Sequence, residues 1–185
     1  MHWVTTKIIH FDRVASAWLI SRFVDPDATF GFIEAGGQAP SDATTFSVVG
    51  GDIGRHDKAG TTFSKIIRRY ELKDAALQDM EKIVAAGVAY VMEARAPGAD
   101  DRHAWVAVGL LAVAEGMLAI EDADAAILTR SLPVWDAIYA DAALRMLRKE
   151  PPGAAGDGEA LLGTKFAMAL ARIRQTIGRA RSGAG

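Results

Sequence analysis

Residues 10–33, HFDRVASAWLISRFVDPDATFGFI, set a short amphipathic helix directly before an aromatic strand, and no other stretch constrains the fold so tightly. The apolar positions Val14, Ala15, Trp18, Leu19 and Phe23 recur at helical spacing. Fully burying one such large side chain is worth about 1.5–3 kcal/mol, so this face must pack. Asp12 stands where a helix N-cap belongs, and its carboxylate could take a free backbone N–H, worth ~1 kcal/mol. Asp25-Pro26-Asp27 breaks the helix, and Thr29–Ile33 follows as a strand.

The remaining elements fall on either side of this junction. Residues 3–9 are short and β-branched and predict a strand, as do residues 44–49, which end at Gly50-Gly51. Thr62 is the expected cap of a helix carrying Phe63, Ile66, Ile67 and Tyr70. Asp74 starts another helix, which reaches about Ala94 with Leu77, Met80, Ile83 and Val84 on one face. Residues 104–120 read as a buried central helix on which Gly109 and Gly116 permit close approach. A helical segment from Asp122 and Asp124 to Leu128 precedes a separate helix opened by Pro133. The stretch EPPGAAGDGE, 150–159, has linker composition. Beyond it, Leu162, Phe166, Leu170, Ile173 and Ile177 form an apolar stripe, with Lys165, Arg172, Arg174, Arg179 and Arg181 making the segment basic.

This order predicts an α+β, predominantly α-helical fold: a few N-terminal strands, a bundle-like helical part and a C-terminal amphipathic helix. The expected organisation is a domain over 1–149, a linker over 150–159 and a helical extension over 160–185.

Composition removes several classes of function. The 185 residues include no cysteine, so disulfides, thiolate metal sites and cysteine nucleophiles are excluded. A formal charge of −2 gives no general attraction to nucleic acid or anionic lipid. The start of the chain lacks the basic and long apolar regions of a signal peptide. Residues 104–120 contain Glu115 and are short for a bilayer span, so a cytoplasmic protein without membrane or direct nucleic-acid partners is expected. No Gly-x-Gly-x-x-Gly, phosphate loop, His-Glu-x-x-His or nucleophile elbow is present.

The polar residues with potential chemistry are few, and each has two readings. Asp12 and Arg13 are either a cap with a solvated or paired arginine, or part of an anion site. In the second reading Arg13 and Arg22, about two and a half turns apart, turn their planar donor forks toward one pocket. His56, followed by Asp57, lies in a polar loop between a strand and a helix, where functional side chains are common and surface histidines commoner. Asp100, Asp101 and His103 have metal-compatible donors, although Asp101 is equally a helix cap. His10 stands two residues from Asp12 and could face the same pocket, whereas His2 is terminal.

The stretch DRVASAWLISRFVDPDATFGFI closely resembles the opening of the C-terminal domain of the chromate-resistance protein ChrB. The family pattern is carried here by Asp12, Arg13, Trp18 to Ile20, Arg22, Phe23 and Asp25. Further resemblances follow in order at His56 through Thr62-Phe63, at Leu72 to Leu77, and at Trp135, Asp136 and Tyr139, covering roughly residues 3–145. What the resemblance implies is a role in the chromate or oxidative-stress response, through sensing or handling an oxyanion or a metal. The chain also departs from the family pattern. Ala85, Ala86, Gly87 and Val88 stand where the family commonly has His-Asp-x-Asp, Thr61 replaces a cysteine and Ser64 a glutamate. A glutamate before the glycine of the central helix is also lost, where Val106 precedes Gly109.

The leading expectation is therefore binding of a small anion or small molecule by Asp12, Arg13, Trp18, Arg22, His56 and Asp136. The alternative is a metal-dependent enzyme using a divalent Zn, Fe or Mn held by His56 and Asp57 with His103 or Asp101. A third reading is an interaction paralogue without an active site, forming a homo-oligomer through its C-terminal helix.

Overall fold

A computed structural model describes residues 1–149, 167–168, 170–175 and 177–178 of the chain. The fold is α+β and mostly helical. Three short strands, β1 (His2–Thr6), β2 (Thr29–Ile33) and β3 (Thr44–Thr45), form a parallel sheet in the order β2-β1-β3. Helix α1 (Phe11–Leu19) and a π-helical turn (Ile20–Val24) connect β1 to β2. Four helices follow: α2 (Thr62–Arg69), α3 (Ala75–Glu93), α4 (Arg102–Ile120) and α5 (Asp124–Lys149).

The second strand occupies the predicted residues, paired in register from His2↔Thr29 to Thr6↔Ile33. The first is shorter than predicted because the chain turns after Thr6, with Ile8 at φ +59. The third also stops early. Ser47 adopts φ +55, and Asp52 closes the turn by accepting from the Thr45 backbone N–H (2.9 Å) and hydroxyl (2.8 Å).

The core is aromatic near the sheet and between α1 and α5, and aliphatic along α3. Trp3, Trp18, Phe46, Phe63, Leu77, Met80 and Ile83 are all fully buried. The Trp3 ring meets Phe46 edge-on at 6.4 Å, while Trp18 packs against Phe23 and Tyr139. The helical face read from residues 14–23 thus buries as its spacing requires, with Val14, Ala15, Trp18 and Leu19 shut from solvent.

Capping residues set the helix starts. Asp74 accepts from the N–H groups of Ala76 and Leu77, and Asp101 from that of Ala104. Two caps differ from expectation. The cap of α2 is Thr61, which accepts from Ser64, and Thr62 is already helical. Helix α1 begins at Phe11, so Asp12 lies inside the first turn, and His10 at the cap position makes no side-chain cap bond.

Two further helical expectations are corrected. Helix α5 runs through Pro133 without a break. Pro133 lies on the exposed side, where the carbonyl freed by its missing N–H can meet water, while Leu128 and Trp135 bury on either side of it. Helix α4 is not a buried central helix. It buries Ala104, Ala107, Leu110 and Leu111, but Trp105, Val113 and Ile120 are 53%, 42% and 67% exposed. Its outer stripe is completed by Gly109 and Gly116, where an added Cβ would meet nothing within 4 Å. Its 19 residues also reach the length and apolarity of a bilayer-crossing helix, although Glu115 interrupts them.

The linker assigned to 150–159, and Leu162, Lys165, Phe166, Arg179 and Arg181 beyond it, lie outside the described residues. Residues 167–168, 170–175 and 177–178 are helical; Ile173 is buried in the main core and Ile177 packs against it.

Candidate functional site

The start of α1, the loop after β3 and the C-terminal half of α3 enclose a cleft of about 440 Å³. His10, Asp12 and Arg13 line it from α1, and Arg55 and His56 from the loop before α2. Facing them are Gly87, Val88, Val91 and Met92 of α3 and Leu111 of α4. The loop residues Ala35–Gly37 and Ser47–Val49 complete the wall.

The position of Arg13 follows from the turn it holds. Its guanidinium donates to the carbonyls of Thr6, Lys7 and Ile8, each at 2.9 Å, and to the Thr6 hydroxyl at 2.5 Å. A β-branched residue in the left-handed region is unusual and costs about 1–2 kcal/mol. The arginine fork therefore gathers the carbonyls around strained Ile8 and fixes the corner between β1 and α1. Partial burial lowers the Arg13 pKa, helped by nearby Arg55 and opposed by Asp124 and Asp12.

Asp12 sits at the other side of the same helical turn. Its carboxyl feels the start of α2, where Thr62 and Phe63 favour the ionised form. Even so, Oδ1 is closed to solvent and has no hydrogen-bond partner among the described residues. Burial pushes the Asp12 carboxyl above the usual carboxylate range, against the pull of His56 and the α2 donors. His10 is moved the other way: burial lowers its pKa, Arg13 adds to the effect, and Glu115 opposes it. Chemically, the cleft offers two arginines and two imidazoles around one carboxyl that resists ionisation.

The other expected anion-site residues stand elsewhere. Trp18 and Arg22, one helical turn apart, both reach Asp136 of α5. The Trp18 indole N–H donates to Oδ1 at 2.8 Å, and Arg22 donates from Nε to Oδ1 at 2.9 Å and from a terminal nitrogen to Oδ2 at 3.2 Å. The Arg22 and Asp136 side chains are each only 6% exposed. The π turn, closed by the Asp25 N–H on the Ile20 carbonyl at 2.8 Å, follows directly on Trp18 and carries Arg22 into this knot. Of the six residues, then, Asp12, Arg13 and His56 share the cleft, and Trp18, Arg22 and Asp136 share a buried ion pair.

The donors considered for a metal are also dispersed. Asp57 pairs with Lys65 at 2.7 Å, and that partner, with the Ala59 N–H, holds its carboxyl below the usual range. His103 faces Asp79 at 2.8 Å in a cluster with Arg145 and Arg102, away from the cleft lining. Asp101 is occupied as the cap of α4. Among the described residues, no three His, Asp or Glu side chains stand close enough to hold an ion together.

Sequence reasoning left out Arg55, Val88 and Met92 as cleft residues. Arg55 could have been suspected from its place beside His56, and Val88 from the replaced run 85–88, which proves to bring Gly87 and Val88 to the cleft. Nothing in the local sequence marks Met92. Gly87 has its own constraint: a Cβ there would lie 2.4 Å from the Phe11 ring.

Residues 3–142 match the family described as "ChrB, C-terminal domain", and the chain belongs to that family. It is 35% identical over 96 residues to Protein ChrB of Cupriavidus metallidurans (strain ATCC 43123 / DSM 2839 / NBRC 102507 / CH34). That match covers 50% of this chain and 29% of the relative, so the chain spans under a third of the relative's length. No solved structure matches.

Proposed function

We propose that this domain binds an anion in the cleft between α1, the 55–56 loop and α3, as part of a chromate or oxidative-stress response. The family membership supports the setting. The observation that carries the binding reading is the excess of cationic and imidazole groups in one cleft: Arg13, Arg55, His10 and His56 around a carboxyl whose ionisation burial opposes. Arg13 is already engaged by backbone carbonyls and holds the wall, while exposed Arg55 retains a guanidinium able to swing onto a ligand. The imidazoles supply ring N–H donors.

Thermal-shift titration with chromate, sulfate and phosphate tests the reading. Wild type should gain stability with anion concentration, as any ligand that binds only the folded state requires, and Arg55→Ala should lose most of that gain. No gain in wild type, or the same gain in the variant, contradicts it.

A further inference from the structure

We infer that the ligand is an amphipathic organic anion, carrying an apolar body behind its charged head, and not a bare inorganic oxyanion. This rests on the anion reading of the cleft and specifies it further. Three observations lead there. First, the space is too large. A tetrahedral oxyanion displaces a few waters, under ~100 Å³ at roughly 30 Å³ each, whereas the cleft measures about 440 Å³. Cavities of that size ordinarily enclose molecules with a substantial carbon skeleton.

Second, the walls differ in chemistry. The cationic groups come from the start of α1 and from Arg55 and His56, while the α3 wall presents Val88, Val91 and Met92. An inorganic ion gripped at the arginines leaves that apolar wall wet. A ligand with a charged head and a hydrocarbon or aromatic body contacts both walls at once.

Third, the apolar wall is now exposed at a cost that a ligand would relieve. Val91 is 55% and Met92 57% exposed, and Val49 at the facing rim is 75% exposed. Large apolar side chains grouped at the mouth of a polar cleft are the surface expected of a binding groove. Methionine also adapts to varied apolar shapes, which suits a wall that closes on a flexible tail.

A homologous series tests the inference on the full chain. Acetate, butyrate, hexanoate and octanoate, kept below micellar concentrations, should be titrated calorimetrically beside sulfate, phosphate, chromate and neutral hexanol. The expected result is a gain of about two- to fourfold in affinity per added methylene over part of the series, the range set by burying each CH₂. Octanoate should then exceed every inorganic ion. Met92→Ser and Val91→Ser, both at exposed positions, should flatten the chain-length slope, with sulfate titrated beside the carboxylates as the reference. Arg55→Ala should weaken the whole series by a similar factor. If inorganic ions bind and the carboxylates show no slope, the inference falls and the anion reading stands. If the slope survives in Met92→Ser and Val91→Ser together, the tail lies elsewhere and the inference falls. If hexanol binds as well as hexanoate, or nothing binds, both fall.

Discussion

Two polar regions built largely from one helix have opposite fates in this domain. In the knot of Trp18, Arg22 and Asp136, a guanidinium and an indole N–H converge on one carboxylate, and the Arg22 and Asp136 side chains are almost wholly buried. In the cleft, Arg13, Arg55, His10 and His56 surround a single reluctant carboxyl, and about 440 Å³ remains open. The difference is one of balance. Charges matched to each other in the interior hold α1 against α5, whereas exposed Arg55, which has no carboxylate partner among the described residues, stands beside open space and is available to something else. Residue type does not separate these roles, since Arg13 and Arg22 are nine positions apart on one helical segment.

The largest expected effect breaks the knot. Asp136→Ala strands the Arg22 guanidinium and the Trp18 N–H in the interior and should cost about 3–5 kcal/mol in chemical denaturation, the usual result of removing one partner of a buried pair. Where the variant stays folded, its anion affinity should remain near that of wild type.

The next effect lies between the two regions. Gly87→Ala adds a Cβ that would stand 2.4 Å from the Phe11 ring, which itself packs on Trp135 at 5.6 Å. Alanine ordinarily stabilises a helix interior relative to glycine, but overpacking here should outweigh that gain and give a net loss of about 1–3 kcal/mol. A rise in melting temperature would show that Phe11 moves aside freely.

Asp12→Asn should be seen in the pH dependence of stability. The folded carboxyl has a raised pKa, so between the ordinary carboxylate value and that raised value the native state keeps a proton the unfolded chain releases. Its contribution is full at lower pH and is lost as pH rises through the folded pKa. The asparagine variant should flatten this decline in a series of melts. Asp79 gives the opposite sign. Burial opposes its ionisation, but His103 and Arg145 outweigh burial and lower its pKa, so its contribution is lost as pH falls through the depressed value. The smallest stability effect should be that of Arg55→Ala, within about 0.5 kcal/mol because the side chain is exposed, while its effect on anion affinity is large.

What the sequence revealed divides along the same line. Local rules sufficed for β2, for the breaker at Pro26, and for the caps at Asp74 and Asp101, because each depends on neighbours a few residues away. They misplaced the α2 cap by one residue, since Thr61 and Thr62 are chemically equivalent candidates and only the path of the chain chooses between them. They also split α5 into a segment ending near Leu128 and a helix opened by Pro133, where tertiary burial on both sides carries one helix through. The apolar run of α4 looked internal because composition cannot tell a core helix from one with an uncovered side.

For the candidate site, sequence reasoning found Asp12, Arg13 and His56 but joined them to Trp18, Arg22 and Asp136. The bond from Trp18 to Asp136 spans 118 positions, and no local pattern announces it. Asp12 shows the same limit. It looked like the cap of its own helix, yet it lies inside the first turn, and its buried carboxyl feels the start of α2.

The most direct test follows the four histidine rings and the indole N–H signals by NMR while sulfate, and then chromate, is titrated into the full chain. His10 and His56 line the cleft, whereas His2 bonds Thr29 and His103 bonds Asp79. The account predicts saturable shifts of the His10 and His56 resonances, with His2, His103 and the Trp18 N–H in the knot unmoved. Cleft histidines that stay still, or four histidines that shift together, would contradict it.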